Sequence, residues 1–135
     1  MKVLQDLWII DSNGTCLFKR VYKEKMNEQM FAGMLSAMNT FASQIDDDGL
    51  SSFEIGEKKF ISIKQDKLNF VANFSTKVNA KKAQKELVYV ADQFLKKYLV
   101  ELVSWSGETT IFDDFEDEIK DSLDEVVDNF QKAFW

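Results

Sequence analysis

Six carboxylates crowd into nine positions late in the 135-residue chain: Asp113, Asp114, Glu116, Asp117, Glu118 and Asp121. Grouped acids are the raw material of divalent-cation sites and of acid–base pairs in which one carboxyl gives a proton and another accepts one. Both chemistries need partners that face the group from another segment. Without such partners the acids have a plainer role, because the partial positive charge of a helix N-terminus favours carboxylates in its first turn. A second acidic run, from Gln44 through Asp46-Asp47-Asp48-Gly49 to Glu54, invites comparison with a calcium loop. Aligned on Gly49, the first ligand position falls on Gln44 and the last on Ile55, with Glu54 one residue early, so the register fails. The run reads as a solvated helix exit.

The other ingredients of catalysis are missing. The chain has no histidine, which removes the side chain best suited to proton transfer near neutral pH, together with Ser-His and Cys-His nucleophile pairs. The sole cysteine, Cys16, sits in a strand pattern with no basic neighbour closer in sequence than Lys19, and is expected to be a small buried packing residue. Gly107 stands without the lysine or second glycine of a phosphate loop. No enzyme, cofactor or metal is expected. One cysteine also forbids an internal disulfide, which fits a reducing cytoplasm. Gln5 and Asp6 interrupt what would have to be a signal core, and no apolar run reaches the roughly 18 residues of a membrane span. On that reading the sequons at Asn13 and Asn73 carry no glycan.

A net charge of −6 opposes binding to nucleic acid, whose affinity for proteins depends on cations that displace condensed counterions. The charge is unevenly spread. Between Lys58 and Lys85 eight lysines meet one acid, Asp66, whereas Asp113 to Asp128 holds nine acids and one base, Lys120. Lys77, Lys81, Lys82 and Lys85 stand at the start of a helix, where positive charge is unfavourable, and this points toward an acidic partner.

These residues must be positioned by one domain spanning 1–135, since 135 residues suffice for a single core and leave no room for a second. Val3 to Ile10 and Thr15 to Tyr22 are strand-like runs joined by Asp11-Ser12-Asn13-Gly14, whose Asn-Gly suits a tight hairpin turn. Leu7-Trp8-Ile9-Ile10 is apolar on both faces, as in a strand covered on both sides, while Lys19, Arg20 and Lys23 suit an edge. Helix one follows from about Asn27, its cap, to Ile45, with Phe31, Leu35, Met38, Ala42 and Ile45 on the core face. Three strands come next, Ser51 to Ile55, Lys58 to Lys64 and Leu68 to Phe74, with turns at Gly56-Glu57 and Gln65-Asp66. A long helix begins after Asn79 and carries Ala83, Leu87, Val90, Ala91, Phe94, Tyr98 and Leu102. A last helix is marked by Phe115, Ile119, Val126 and Phe130. The order β-β-α-β-β-β-α-α predicts a three-layer α/β/α sandwich: a five-stranded antiparallel sheet with helix one on one face and the last two helices on the other.

Helix one offers the most suggestive surface. Met26, Met30, Met34, Ala37 and Phe41 form an apolar shoulder beside its core face, widening the apolar arc to about half the circumference. Gly33, Ala37 and Thr40 are small enough for close approach of another backbone, and methionines suit an adaptable contact surface. Met26, Met30, Gly33, Met34, Ala37 and Phe41 are therefore the candidate interface.

The order of elements, with LWIIDSNGTCLFKRVY at the hairpin, FAGMLSAMNTFASQI in helix one, FEIGEKKFISIKQDKLNFVANF in the meander and FLKKYLVELVSWSGETTIFDDFEDEI near the end, resembles the longin-like family. The likeness is to compact archaeal forms and to trafficking subunits of the sedlin and adaptor sigma type, and it covers nearly the whole chain. Roadblock domains share the core but usually begin with a helix and lack the extra C-terminal one, so longin-like is the closer resemblance. It implies a non-catalytic, cytoplasmic module that pairs with itself or with a related longin or roadblock-like domain, and that serves as a platform or regulatory subunit for a small Ras-type GTPase or a vesicle-trafficking assembly. The alternative is a profilin- or PAS-like domain that senses a small molecule between helix and sheet, near Trp8, Phe70 or Trp105.

Overall fold

A computed structural model describes residues 3–21, 28–45, 52–55, 58–105 and 107–119. The elements are β1 (Asp6–Ile10), β2 (Cys16–Arg20), α1 (Glu28–Ser43), β3 (Ser52–Ile55), β4 (Lys58–Gln65), β5 (Leu68–Ser75), α2 (Ala80–Val103), a 3-10 turn (Thr110–Phe112) and α3 (Phe115–Glu118). All strand pairs are antiparallel, in the spatial order β2-β1-β5-β4-β3. The first strand in sequence thus lies inside the sheet. This explains why all five of its residues are buried, as its two-sided apolar pattern requires.

Side-chain alternation divides the sheet into two faces. Leu7 and Ile9 of β1 and Phe70, Ala72 and Phe74 of β5 pack on one side with Ala83, Leu87, Val90, Ala91 and Phe94 of α2. Trp8, Ile10 and Cys16, with Val71 and Phe60, pack on the other with Phe31, Ala32 and Leu35 of α1. Phe112, Phe115 and Ile119 join the α2 side. The result is the three-layer α/β/α arrangement expected from the order of elements.

Local chemistry fixes the turns. Asp11 accepts the backbone N–H groups of Asn13 and Thr15 on Oδ1, each at 2.9 Å, while Gly14 takes φ +84°. Such a positive φ costs a glycine little. Between β1 and β2 the register runs Ile9 to Phe18 and then Ile10 to Cys16, leaving Leu17 as an extra residue. This bulge lets Leu17 and Phe18 both reach the α2-side core. The β4–β5 turn is Asp66-Lys67, both with positive φ, one residue later than the expected Gln65-Asp66. The Gln65–Leu68 pair closes a two-residue loop whose right-handed twist demands left-handed backbone at both central positions.

Several boundaries differ from the sequence reading. The helix α1 ends at Ser43, so Ile45 lies past its last turn and is 78% exposed instead of facing the core. Ala32, not named as core, is fully buried beside Phe31. Within the described residues the expected last helix is the single turn α3, with Ile119 buried after it. Asn27, the Asp46-Asp47-Asp48-Gly49 exit, the Gly56-Glu57 turn, Val126 and Phe130 lie outside the described residues. No described helix is long and apolar enough to cross a membrane.

Candidate protein interface

The helix α1 has two distinct faces. Inward, the ring of Phe31 lies 4.3 Å from that of Trp8, and Phe60 extends the stack at 6.0 Å from Trp8. Phe53 of the edge strand β3 continues it, 4.7 Å from Phe60 and nearly parallel. Outward, Gly33, Ala37 and Thr40 are exposed, at helical spacings of four and three residues that keep them on one stripe. Among the described residues, a side chain added at Gly33 would meet no atom within 4 Å.

That stripe lines a shallow groove of about 580 Å³ with Ser36, Gln44 and the hairpin residues Asn13 and Gly14. Gly14 approaches closely: a Cβ there would stand 3.5 Å from the Ser36 side chain. The helix hydroxyls turn back on their own backbone. Thr40 donates to the Ser36 carbonyl at 2.9 Å and Ser43 to that of Asn39 at 2.9 Å. Their hydrogen bonding is thereby largely satisfied, and the stripe presents small, mostly apolar surface suited to close packing. Among the described residues, no titratable side chain lines this groove. Its small side chains allow another element to pack against it.

Of the candidate interface residues, Gly33 and Ala37 share the exposed stripe. Met34 is half-buried and packs against the Trp8 cluster instead. Met30 and Phe41 belong to α1, with side chains outside the described residues, and Met26 lies outside them altogether. The contributions of Ser36, Gln44, Asn13 and Gly14 were not anticipated. The first two were readable from the 33, 36, 37, 40, 44 spacing, whereas the hairpin's approach is a tertiary contact without a local signal.

The carboxylate cluster does find partners, and they are structural. The Tyr98 hydroxyl donates to Asp114, and Lys97 reaches Asp114 Oδ2 at 3.5 Å and Glu118 Oε1 at 3.1 Å. Arg20 Nε lies 3.5 Å from Glu116. The Tyr98 hydrogen bond, with Lys97 beside it, holds the Asp114 carboxyl below its ordinary range. Burial pushes the Tyr98 hydroxyl well above its usual value, and the bond to Asp114 adds to this. The Lys97 ammonium is held up chiefly by its bond to Glu118. These acids fasten α3 to α2 and β2, and among the described residues no cluster of three or more potential ligands could hold a metal. Cys16 is buried, its thiol 3.4 Å from the Phe18 carbonyl, in keeping with a packing role.

One polar pair escaped the sequence reading. Asp6 and Asn73 are buried side by side, with Asn73 Nδ2 donating to Asp6 Oδ2 at 2.9 Å and Asp6 N donating to Asn73 Oδ1 at 2.9 Å. Lys58 Nζ stands 3.4 Å from the same carboxylate oxygen. Asn73 is 1% exposed, which leaves no room for a glycan at that sequon.

Among solved structures, a roadblock/LC7 domain from Streptomyces avermitilis superimposes with a TM-score of 0.58 at 10% identity, covering 73% of this chain and 87% of that one. The fold is roadblock-like. Myxococcus xanthus MglB is a weaker match, with a TM-score of 0.45 at 17% identity over 67% of this chain and 85% of that one. A further structure, described as MglB with tetrameric arrangement, has a TM-score of 0.45 at 11% identity over 58% of this chain and 65% of that one. No family profile and no curated protein matches the sequence. The roadblock-like core comprises a sheet with helices on both faces, and it agrees with the longin-like expectation at the level of fold. Of the further C-terminal helix expected to separate the two, the described residues include only the single turn α3.

Proposed function

We propose that the chain is a non-catalytic interaction module of the cytoplasm, one that pairs through α1 with a second copy or a related longin or roadblock-like domain. The pair then serves as a platform or regulatory subunit for a small Ras-type GTPase, in the manner of archaeal longin-like proteins and trafficking subunits. The observation that carries this reading is the small-residue stripe of Gly33, Ser36, Ala37 and Thr40 along α1, which no titratable side chain borders among the described residues. A stripe of this kind lets a partner helix approach backbone to backbone, which raises packing density at the contact. The roadblock-like fold supports the choice of class, because that scaffold presents one helix on an otherwise uncovered face.

Gly33→Arg and Ala37→Arg test it. Both positions are exposed, so the variants should retain the wild-type circular dichroism spectrum. Static light scattering is expected to give twice the 15.7 kDa chain mass for the wild type and the single mass for the variants. Affinity capture of small GTPases from the native lysate should fall in parallel. Equal masses together with equal capture would remove α1 as the interface.

A further inference from the structure

On the opposite side of the sheet from α1, a groove of about 510 Å³ opens at the C-terminal end of α2. Leu17 and Leu68 of the sheet form its floor with Leu95 and Leu102 of α2, and Trp105 is one wall. Trp105 is held in place: its indole N–H donates to the Glu108 carbonyl at 2.9 Å, and its ring lies 6.1 Å from that of Phe112. At Tyr98 the helix departs from regular geometry, with φ −114° and ψ 19°. Beyond that kink Leu99 is 58% exposed, Val100 76% and Val103 84%. Leu99 and Val103 form the rim of the groove. Several large aliphatic side chains left in water at one helix end, beside a preformed apolar depression, are the mark of a surface that another segment covers.

The charges decide the occupant. Among the described residues, Asp11 and Asp66, from two different turns, are the titratable residues lining the groove, and no described lysine or arginine lines it. Glu101 is exposed on the same last turn of α2, and Glu108 is exposed in the loop that follows. Lys67, next to Asp66, lines another groove with Asn39 and Thr40, one that Asp11 and Leu68 also border. Lys96 and Lys97 stand on the same stretch of α2 as Leu95 and Leu99. Lys97 is paired with Asp114 and Glu118, so the acids Asp11, Asp66, Glu101 and Glu108 still outnumber Lys67 and Lys96 near the groove. Lys81, Lys82 and Lys85 lie at the far end of α2, about 25–30 Å away at 1.5 Å per residue. That is beyond the roughly 8–10 Å over which exposed charges act at physiological salt, so they do not cancel the local negative field.

We infer that this groove docks a short basic amphipathic segment of a partner protein. Leucine-like side chains at i, i+3 or i+4 and i+7 fill the space between Leu68, Leu99 and Trp105, and flanking Lys or Arg residues meet Asp11 and Asp66. Such a helix-in-groove mode takes its affinity from the buried apolar anchors and its selectivity from the acidic rim. Asn13 of the hairpin turn borders both this groove and the α1 stripe, but Leu99, Val103 and Trp105 lie on the α2 side, so one chain can hold a pairing partner and a tethered segment on its two faces.

The probe is a labelled 14-residue helical peptide with leucines at those spacings and lysines at the remaining positions, compared with a glutamate version of identical spacing. Fluorescence anisotropy with the full-length chain should give at least tenfold tighter binding of the lysine peptide. Leu99→Ser combined with Val103→Ser should weaken it at least tenfold, and because both residues are exposed the fold is preserved. Asp66→Asn, which keeps a residue tolerant of the left-handed backbone, should weaken binding about threefold and flatten its salt dependence. Equal binding of the two peptides, or unchanged affinity in the Leu99/Val103 variant, overturns the inference. Tighter probe binding by a full-length Phe130→Asp variant would overturn it too, because the chain's own C-terminal segment would then be the occupant. A change in oligomeric mass on Leu99→Ser and Val103→Ser would assign the groove to a second copy. Loss of pairing in the α1 variants with the peptide still bound would leave this inference standing.

Discussion

Phe115→Ala probes how firmly the last described turn belongs to the core. Phe115 is fully buried, and its ring meets Phe18 at 5.3 Å, Phe94 at 5.0 Å and Tyr98 at 6.0 Å, all in edge-to-face arrangements. Removing the ring forfeits roughly 1.5–3 kcal/mol of apolar transfer, and a cavity left between β2 and α2 adds about 24 cal/mol per Å³. Buried Phe→Ala changes accordingly cost about 3–5 kcal/mol in total. Against the roughly 5–15 kcal/mol of a typical domain, this is a large fraction, and it should lower Tm by more than about 10 °C. Phe115→Leu keeps most of the volume and should cost under about 1.5–2 kcal/mol, much of it from the lost ring geometry. Urea unfolding followed by tryptophan fluorescence and far-UV circular dichroism would measure both. A loss below about 1 kcal/mol for Phe115→Ala, or a transition seen by only one probe, would refute the claim that α3 is an integral part of the core.

Other consequences can be checked in the same assay. Because the folded Asp114 carboxyl sits below its ordinary value of 3.8, its contribution is complete above that pH and is lost as the pH falls through the depressed value. The stability gap between wild type and Tyr98→Phe should therefore be constant from about pH 7 to 5 and narrow below about pH 4; a gap unchanged down to about pH 2 would contradict this. Asp6→Ala leaves the buried Asn73 amide without its acceptor and should cost about 2–3 kcal/mol. In the double-mutant cycle with Asn73→Ala the two losses should fail to add by about 0.5–3 kcal/mol, and strict additivity would deny the pairing. Lys67 occupies left-handed backbone at φ +66°, so Lys67→Gly should raise stability by up to about 1 kcal/mol, net of glycine's greater flexibility when unfolded.

The fold was legible because its signals are local. Asn13-Gly14 marks a reversal, Leu68, Phe70, Ala72 and Phe74 alternate, and Ala83, Leu87, Val90, Ala91 and Phe94 repeat at helical spacing, so element order followed and the layers followed from it. The boundaries were less legible. Ile45 fits the apolar period of helix one, yet periodicity does not report where a backbone stops being helical. The sequence reading puts the turn at Gln65-Asp66, one residue early, because Lys67 has no preference for positive φ that would announce it. For the interface, Gly33 and Ala37 were visible as small residues at one face. Met34 is half-buried because α1 leans its Met34 side onto the Trp8 cluster, an orientation set by Phe53, Phe60 and other residues distant in sequence. The Asp6–Asn73 pair was invisible for a similar reason: its two members are 67 positions apart.

Gln29 adds a consequence for assembly. From the first turn of α1 its side-chain amide accepts the Cys16 N–H at 3.0 Å and donates to the Cys16 carbonyl at 3.4 Å. A side chain thus occupies backbone groups that an added strand would need at the β2 edge, one way in which proteins keep sheet edges from recruiting neighbours. Copies cannot stack β2 against β3 in an unlimited head-to-tail row without first breaking this amide clasp, so sheet-mediated growth into fibres is opposed, while like-to-like contacts that close on a two-fold axis are not.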